Sequence, residues 1–155
     1  MAGLVVTVLI VAGQHLFLSG RSWMVVKDSL EGAVRRLERP ECQEIFGVFT
    51  DGAGHRLSDD LAMSGQRAAD ALVALYFVAA DSLPQCRTNE ATATFTQPYG
   101  RLVYVCTERF VNSFARRTAG GELLLIHELM HTLGLGENPP SSAQISEAVM
   151  RYCGG

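Results

Sequence analysis

His127-Glu128-Leu129-Met130-His131 places two histidines four residues apart, with a carboxylate directly after the first. On a helix, residues four apart lie on one face, so both imidazoles can point at one cation. Glu128 is turned about 100° from His127, which brings its carboxylate near the cation without making it a ligand. These residue types suit a divided task. Neutral imidazoles bind zinc, zinc lowers the pKa of a bound water toward about 7, and the carboxylate takes the proton. At this chain's content of His and Glu, only about 0.006 chance matches are expected, so the pattern is informative. The flanking Leu123, Leu124, Leu125, Ile126, Leu129 and Met130 are apolar, which predicts a largely buried helix. Buried His and Glu need partners, and a metal supplies one.

The elements that must position this motif follow from periodicity and turn chemistry. Trp23, Val26, Leu30, Val34 and Leu37 recur every three or four residues, predicting a helix over residues 23–39 that Pro40 stops. Residues 45–50 read as a short strand ended by Asp51-Gly52-Ala53-Gly54. Ser58-Asp59-Asp60 offers a cap to a second helix reaching about Leu75; Tyr76-Phe77-Val78 either extends it or forms a strand. Residues 92–96 and 101–106 flank Gln97-Pro98-Tyr99-Gly100, the pattern of a β-hairpin. A helix is expected over residues 108–117, broken by Thr118-Ala119-Gly120-Gly121, with the motif helix over residues 122–133. A last helix starts near Ser141 or Ser142, after Pro139-Pro140, and runs to about Tyr152. Mixed helices and a small sheet, without a repeat or linker, predict one α+β domain over residues 19–155.

Composition narrows the classes further. A chain of 155 residues that is 48% hydrophobic and 19% charged excludes disorder and collagen-like repeats. A formal charge of −3 speaks against a nucleic-acid partner. Cys42, Cys86, Cys106 and Cys153 are even in number and none forms a C-x-x-C pair, so two disulfides in an oxidising compartment are expected. The favoured pairing is Cys86–Cys106, closing a short loop, with Cys42–Cys153 tying back the C-terminus; four buried thiols are the competing reading. Residues 1–18 are apolar apart from Thr7, Gln14 and His15, suggesting a signal peptide or membrane anchor. No Lys or Arg precedes Arg21, and the β-branched run from Leu4 to Val11 suits a buried first strand instead. A start displaced from the true one is a third reading. Export to the cell envelope or beyond is the expectation.

The motif resembles the active-site helix of zincin metallopeptidases. It extends to His127-Glu128-x-x-His131-x-x-Gly134-x-x-Glu137, similar to the metzincin signature, where a glycine ends the helix and a third ligand follows. Metzincins usually carry His or Asp there; Glu137 stands in that place here, and a carboxylate completes a His₂-carboxylate set. Val149-Met150-Arg151-Tyr152 resembles a metzincin Met-turn, although Ile145, Val149 and Tyr152 have helical spacing. A gluzincin-like alternative makes Glu147, on the last helix, the third ligand. The segment after Gly134, with Cys153 near the end, also looks like small bacterial secreted zincin-like proteins. The resemblance implies Zn²⁺ held by His127, His131 and Glu137, Glu128 as general base, and a peptide or protein substrate lying along an edge strand, for which residues 101–106 are the candidate. Tyr99 and Tyr104 could assist a substrate carbonyl, with packing the commoner role. His15 and His55 are isolated, and His55 reads as a solvated loop residue. The expected activity is therefore zinc-dependent peptide hydrolysis. Its rival is a non-catalytic secreted or envelope binding module with a structural metal site.

Overall fold

The computed structural model of the protein describes residues 15–155. The first strand, β1 (Leu16–Phe17), leads into α1 (Gly20–Leu37). Helix α1 turns Val26, Leu30, Ala33 and Leu37 inward, all essentially inaccessible to solvent. That is the amphipathic helix its spacing predicts, and it ends before Pro40, which occupies the first turn of α2 (Pro40–Gln43).

The expected strand over residues 45–50 is instead a 3-10 turn, Glu44–Gly47, followed by one isolated bridge between Thr50 and Arg56. Ile45 and Phe46 are consecutive and both buried, a pattern that a one-faced strand cannot satisfy. The single helix expected from Ser58 to Leu75 is two, α3 (Leu57–Ser64) and α4 (Ala68–Val73). Gly65, at φ 66°, closes α3 in the left-handed conformation that glycine adopts without strain.

Four strands form one mixed sheet in the order β1-β2-β4-β3. Strand β2 (Tyr76–Ala79) pairs in parallel with β1 and with β4 (Leu102–Val105), while β3 (Thr94–Phe95) pairs antiparallel to β4. The hairpin is present as expected, but the assignment of its edge is corrected. Residues 101–106 supply an interior strand, because β2 takes their other side, and among the described residues β1 and β3 are the edges of the sheet. Leu16 and Phe17 pair with Phe77 and Val78, so the end of the apolar N-terminal segment is part of this sheet. The signal, anchor and buried-strand readings otherwise concern residues 1–14, outside the described residues.

Short α5 (Pro84–Thr88) and α6 (Thr107–Phe114) precede α7 (Thr118–Thr132), which carries the motif, and α8 (Ser142–Cys153) closes the described chain. Ser141 and Gln144 cap α8 reciprocally. Helix α7 begins earlier than expected, since the Thr118-Ala119-Gly120-Gly121 segment is its first turn rather than a break. The reason is close packing. A Cβ on Gly121 would lie 2.4 Å from Ser29 Oγ, and one on Gly120 would lie 2.9 Å from Phe114 Cε1. Two glycines weaken an isolated helix by about 1 kcal/mol each relative to alanine; here the contact with α1 and α6 outweighs that. Beside them Arg36 Nε donates to Glu122 Oε2 at 2.5 Å, largely shielded from solvent.

Both expected disulfides are present, Cys42–Cys153 and Cys86–Cys106. The first ties α8 to α2, where Arg36 and Arg39 also donate to the Cys153 carbonyl at 2.6 Å each. Two disulfides fit an oxidising compartment. No helix among the described residues is long and apolar enough to cross a membrane. The architecture is thus mixed helix and sheet, with one main core and a small second cluster of Ala80, Cys86 and Cys106, compatible with an α+β domain.

Gly121→Ala tests the α1–α7 contact. The added methyl must displace Ser29, and overpacking of this kind destabilises by about 1–3 kcal/mol. The expected result is a Tm lowered by several degrees in thermal unfolding, with Gly136→Ala, where a Cβ meets nothing, as the neutral comparison.

Candidate metal centre

Every residue of α7 from Leu125 to His131 is buried. Leu125, Ile126, Leu129 and Met130 face the core, while His127, Glu128 and His131 are 4–7% exposed along the remaining side. One helix therefore buries its apolar stripe and its polar stripe together.

The imidazoles are oriented from behind. His131 Nδ1 lies 2.7 Å from the Leu135 carbonyl, which can only accept, so Nδ1 carries the proton and Nε2 presents a lone pair. Leu135 is brought back to that position by Gly134, whose φ of 107° turns the chain, and by Leu135 N–H donating to the Met130 carbonyl. His127 Nδ1 lies 3.0 Å from Ser146 Oγ on α8. Both Nε2 atoms consequently face one point, 3.1 Å apart.

Glu137 completes the group. Its Oε1 is 3.2 Å from His131 Nε2 and 3.9 Å from His127 Nε2. A tetrahedral zinc ion with bonds of about 2.0–2.1 Å sets its ligand atoms about 3.3 Å apart. Two neutral nitrogens and one carboxylate oxygen at these spacings fit such an ion. Burial, with His131 alongside, holds His127 down to about 4, so that it stays unprotonated at neutral pH, as a ligand must be.

Glu128 does not join the ligand set. Its two oxygens are occupied separately: Thr94 Oγ1 donates to Oε1 at 2.7 Å and Thr96 Oγ1 to Oε2 at 3.0 Å. Burial pushes the Glu128 carboxyl above the usual carboxylate range, against the lowering effect of both threonines. Hydrogen bonds to a charged group contribute about 1.5–3 kcal/mol each, whereas desolvating a carboxylate costs several. Burial wins in sign.

The rival ligand is not part of the group. Glu147 is exposed on α8, and among the described residues it is Glu137 that clusters with the two histidines. The Met-turn expectation is corrected as well. Met150 is 59% exposed on α8, held outward by the helix that Ile145, Val149 and Cys153 anchor through their buried side. Tyr99 and Tyr104 serve packing. Tyr104 stacks on Phe95 at 4.8 Å. Tyr99 covers Gly134, where a Cβ would lie 2.6 Å from its ring. His55 is exposed, as expected, yet Asp51 and Asp60 lie with it within 4.8 Å. Asp51 already accepts the N–H groups of Ala53 and His55.

The His-His-Glu group opens on a cavity of about 850 Å³ lined by Thr94, Phe95, Thr96, Phe114, Leu124 and Ser146 among others. Edge strand β3 forms one wall. Ser146, Thr94 and Thr96 are the site residues that motif reading missed. Only the alternation Thr92-x-Thr94-x-Thr96, which puts the hydroxyls on one face of a strand, hinted at the last two.

Models of known protein families, curated proteins and solved structures contain no match to this chain.

Zinc titration separates the two glutamates. Glu137→Gln is expected to weaken binding at least about 100-fold, while Glu147→Gln leaves affinity and stoichiometry unchanged. Ser146→Ala, which removes the support behind His127, should lie between them, at about 10-fold or more.

Proposed function

We propose that the protein is a small zinc-dependent hydrolase of zincin type, most simply a metallopeptidase. The observation that carries this reading is the convergence of His127, His131 and Glu137 beside a buried carboxylate that binds none of them, at the wall of an open cavity. Zinc held there would polarise a carbonyl and make water a nucleophile at neutral pH.

The remaining roles belong to the chain. Glu128 accepts a proton from the attacking water at whichever oxygen lone pair the threonines leave open, then returns it to the leaving amine. Ser146 and the Leu135 carbonyl keep the imidazoles in one orientation. Among the described residues, edge strand β3 has no strand paired on its outer side, against which an extended peptide could add as a further strand. Phe114 and Leu124 add apolar surface to the cavity. The substrate this favours is therefore a peptide or protein segment in extended form.

Two further features support the reading. A small mixed sheet beside the motif helix is compatible with the α+β fold that the zincin resemblance implies. Two disulfides suit a protein exported to the envelope or the exterior. The rival, a binding module with a purely structural metal, is disfavoured by the openness of the site. Structural zinc sites are closed and fully ligated by protein, whereas Glu137 is 43% exposed and the group borders a cavity.

Glu128→Gln provides the test. The amide keeps the shape and the threonine contacts but cannot take a proton. Zinc should remain at one ion per chain while hydrolysis of a peptide library falls by about 10²–10⁴-fold. Hydrolysis undiminished by that change rules the mechanism out. Removing zinc with a chelator should likewise abolish turnover while circular dichroism shows the fold retained.

A further inference from the structure

The threonine pair on β3 goes beyond what a metal site needs. Glu128 is 4% exposed and Thr94 6% exposed, so their hydrogen bond is screened from water. Each carboxylate oxygen accepts one hydroxyl and no more, among the described residues. Since each oxygen has two acceptor positions, one on each remains open. The carboxylate is thus clamped at both ends and still able to accept a proton.

The clamp is itself held. Thr94 lies in β3 and Thr96 directly after its end; both hydroxyls reach Glu128, while Phe95 between them turns to Tyr104. Phe95 stacks on Tyr104 across the β3–β4 pair, and Cys106 N–H donates to the Ala93 carbonyl at 2.9 Å. Arg109 on α6 donates to the Thr92 carbonyl and, at 2.8 Å, to the Cys86 carbonyl. Cys86 is joined to Cys106. Threonine is stiff about χ1, which suits a fixed donor better than serine.

We propose that Thr94 and Thr96 are positioning residues for Glu128, making the base and the cavity-wall strand one rigid unit. The inference rests on the hydrolase reading. Its content is that the hydroxyls act on the base's orientation and not on metal binding or on the fold. A carboxylate free to rotate would lose alignment with the attacking water, and misplacement of a catalytic group by about 1 Å can cost about 10²-fold.

The test uses the full, zinc-loaded chain and five variants: Thr94→Val/Thr96→Val, Thr94→Ser/Thr96→Ser, Thr96→Ala alone, Glu128→Gln, and Thr94→Val/Thr96→Val/Glu128→Gln. The readouts are kcat and KM on a peptide substrate, zinc stoichiometry, and calorimetric affinity for acetohydroxamic acid, which binds zinc and shares its proton with a neighbouring carboxylate. The double valine variant should lose about 10²-fold in kcat with KM within about threefold and zinc retained. The double serine variant should recover to within about fivefold of the native protein. Hydroxamate affinity should fall about tenfold in the valine variant, and this loss should vanish when Glu128→Gln is added. Thr96→Ala, at the more open end of the strand, gives an intermediate loss and serves should the double valine variant fail to fold. Native kcat and hydroxamate affinity in the valine variants, or a fall in kcat that only follows lost zinc, overturn the positioning role while the hydrolase reading stands. Should Glu128→Gln itself bind hydroxamate and hydrolyse peptide like the native chain, the hydrolase reading fails and takes the clamp with it.

Discussion

A helix buried on every side must find a partner for each polar group it carries, and the second half of α7 carries three. His127, Glu128 and His131 cannot be left unpaired at 4–7% exposure without a penalty of several kcal/mol. Much of the surrounding structure follows from that requirement. Ser146 and the Leu135 carbonyl take the rear nitrogens of the histidines, and Thr94 and Thr96 take the two oxygens of the glutamate. Only the two Nε2 atoms are left facing each other and Glu137. The polar face of the helix thus converges on one point, where the spacing of these three groups suits an ion.

Holding α7 so deep requires neighbours that come very close. Ser29 and Gly32 on α1 face Gly121 and Glu122 on α7 with no room for a methyl group at either glycine. The two disulfides work at the opposite ends of the site. Cys42–Cys153 anchors α8, and with it Ser146, to α2. Cys86–Cys106 fastens the base of the β3–β4 hairpin, and Arg109 bridges the same segment through two carbonyls. A cross-link over 111 residues constrains the unfolded chain by about 4–5 kcal/mol in the chain-entropy account, more than the other one, which spans 20. The larger stabilisation thus falls on the element that carries Ser146, the partner of His127.

Legibility varied with the range of the signal. The α1 spacing, the hairpin around Pro98 and Gly100, the capped start of α8 and both disulfides could be read along the chain, since each depends on residues near one another or on simple pairing. Readings failed where packing overrode local preference. Gly120-Gly121 looked like a break and is a helix turn, because the gain is contact with Ser29 and Phe114. Residues 45–50 looked like a strand, yet Ile45 and Phe46 are buried side by side in a 3-10 turn. At Met150 the helical spacing of its segment, and not its resemblance to a Met-turn, agrees with the structure, which places it on the solvent side of α8.

The amino-acid order alone put His127 and His131 on one side of a helix, because i and i+4 share a face of any α-helix whatever surrounds it, and it determined the glycine that lets the chain return after it. It left Glu137 and Glu147 both open, since local spacing says nothing about which loop comes back to the histidines. The tertiary structure decided that, turning Glu147 outward on α8 and bringing Glu137 to 3.2 Å from His131. It also decided the edge strand and the threonines on it. Strand order is set by pairing between segments far apart in the chain, β2 with β4 and β4 with β3, which no local pattern encodes.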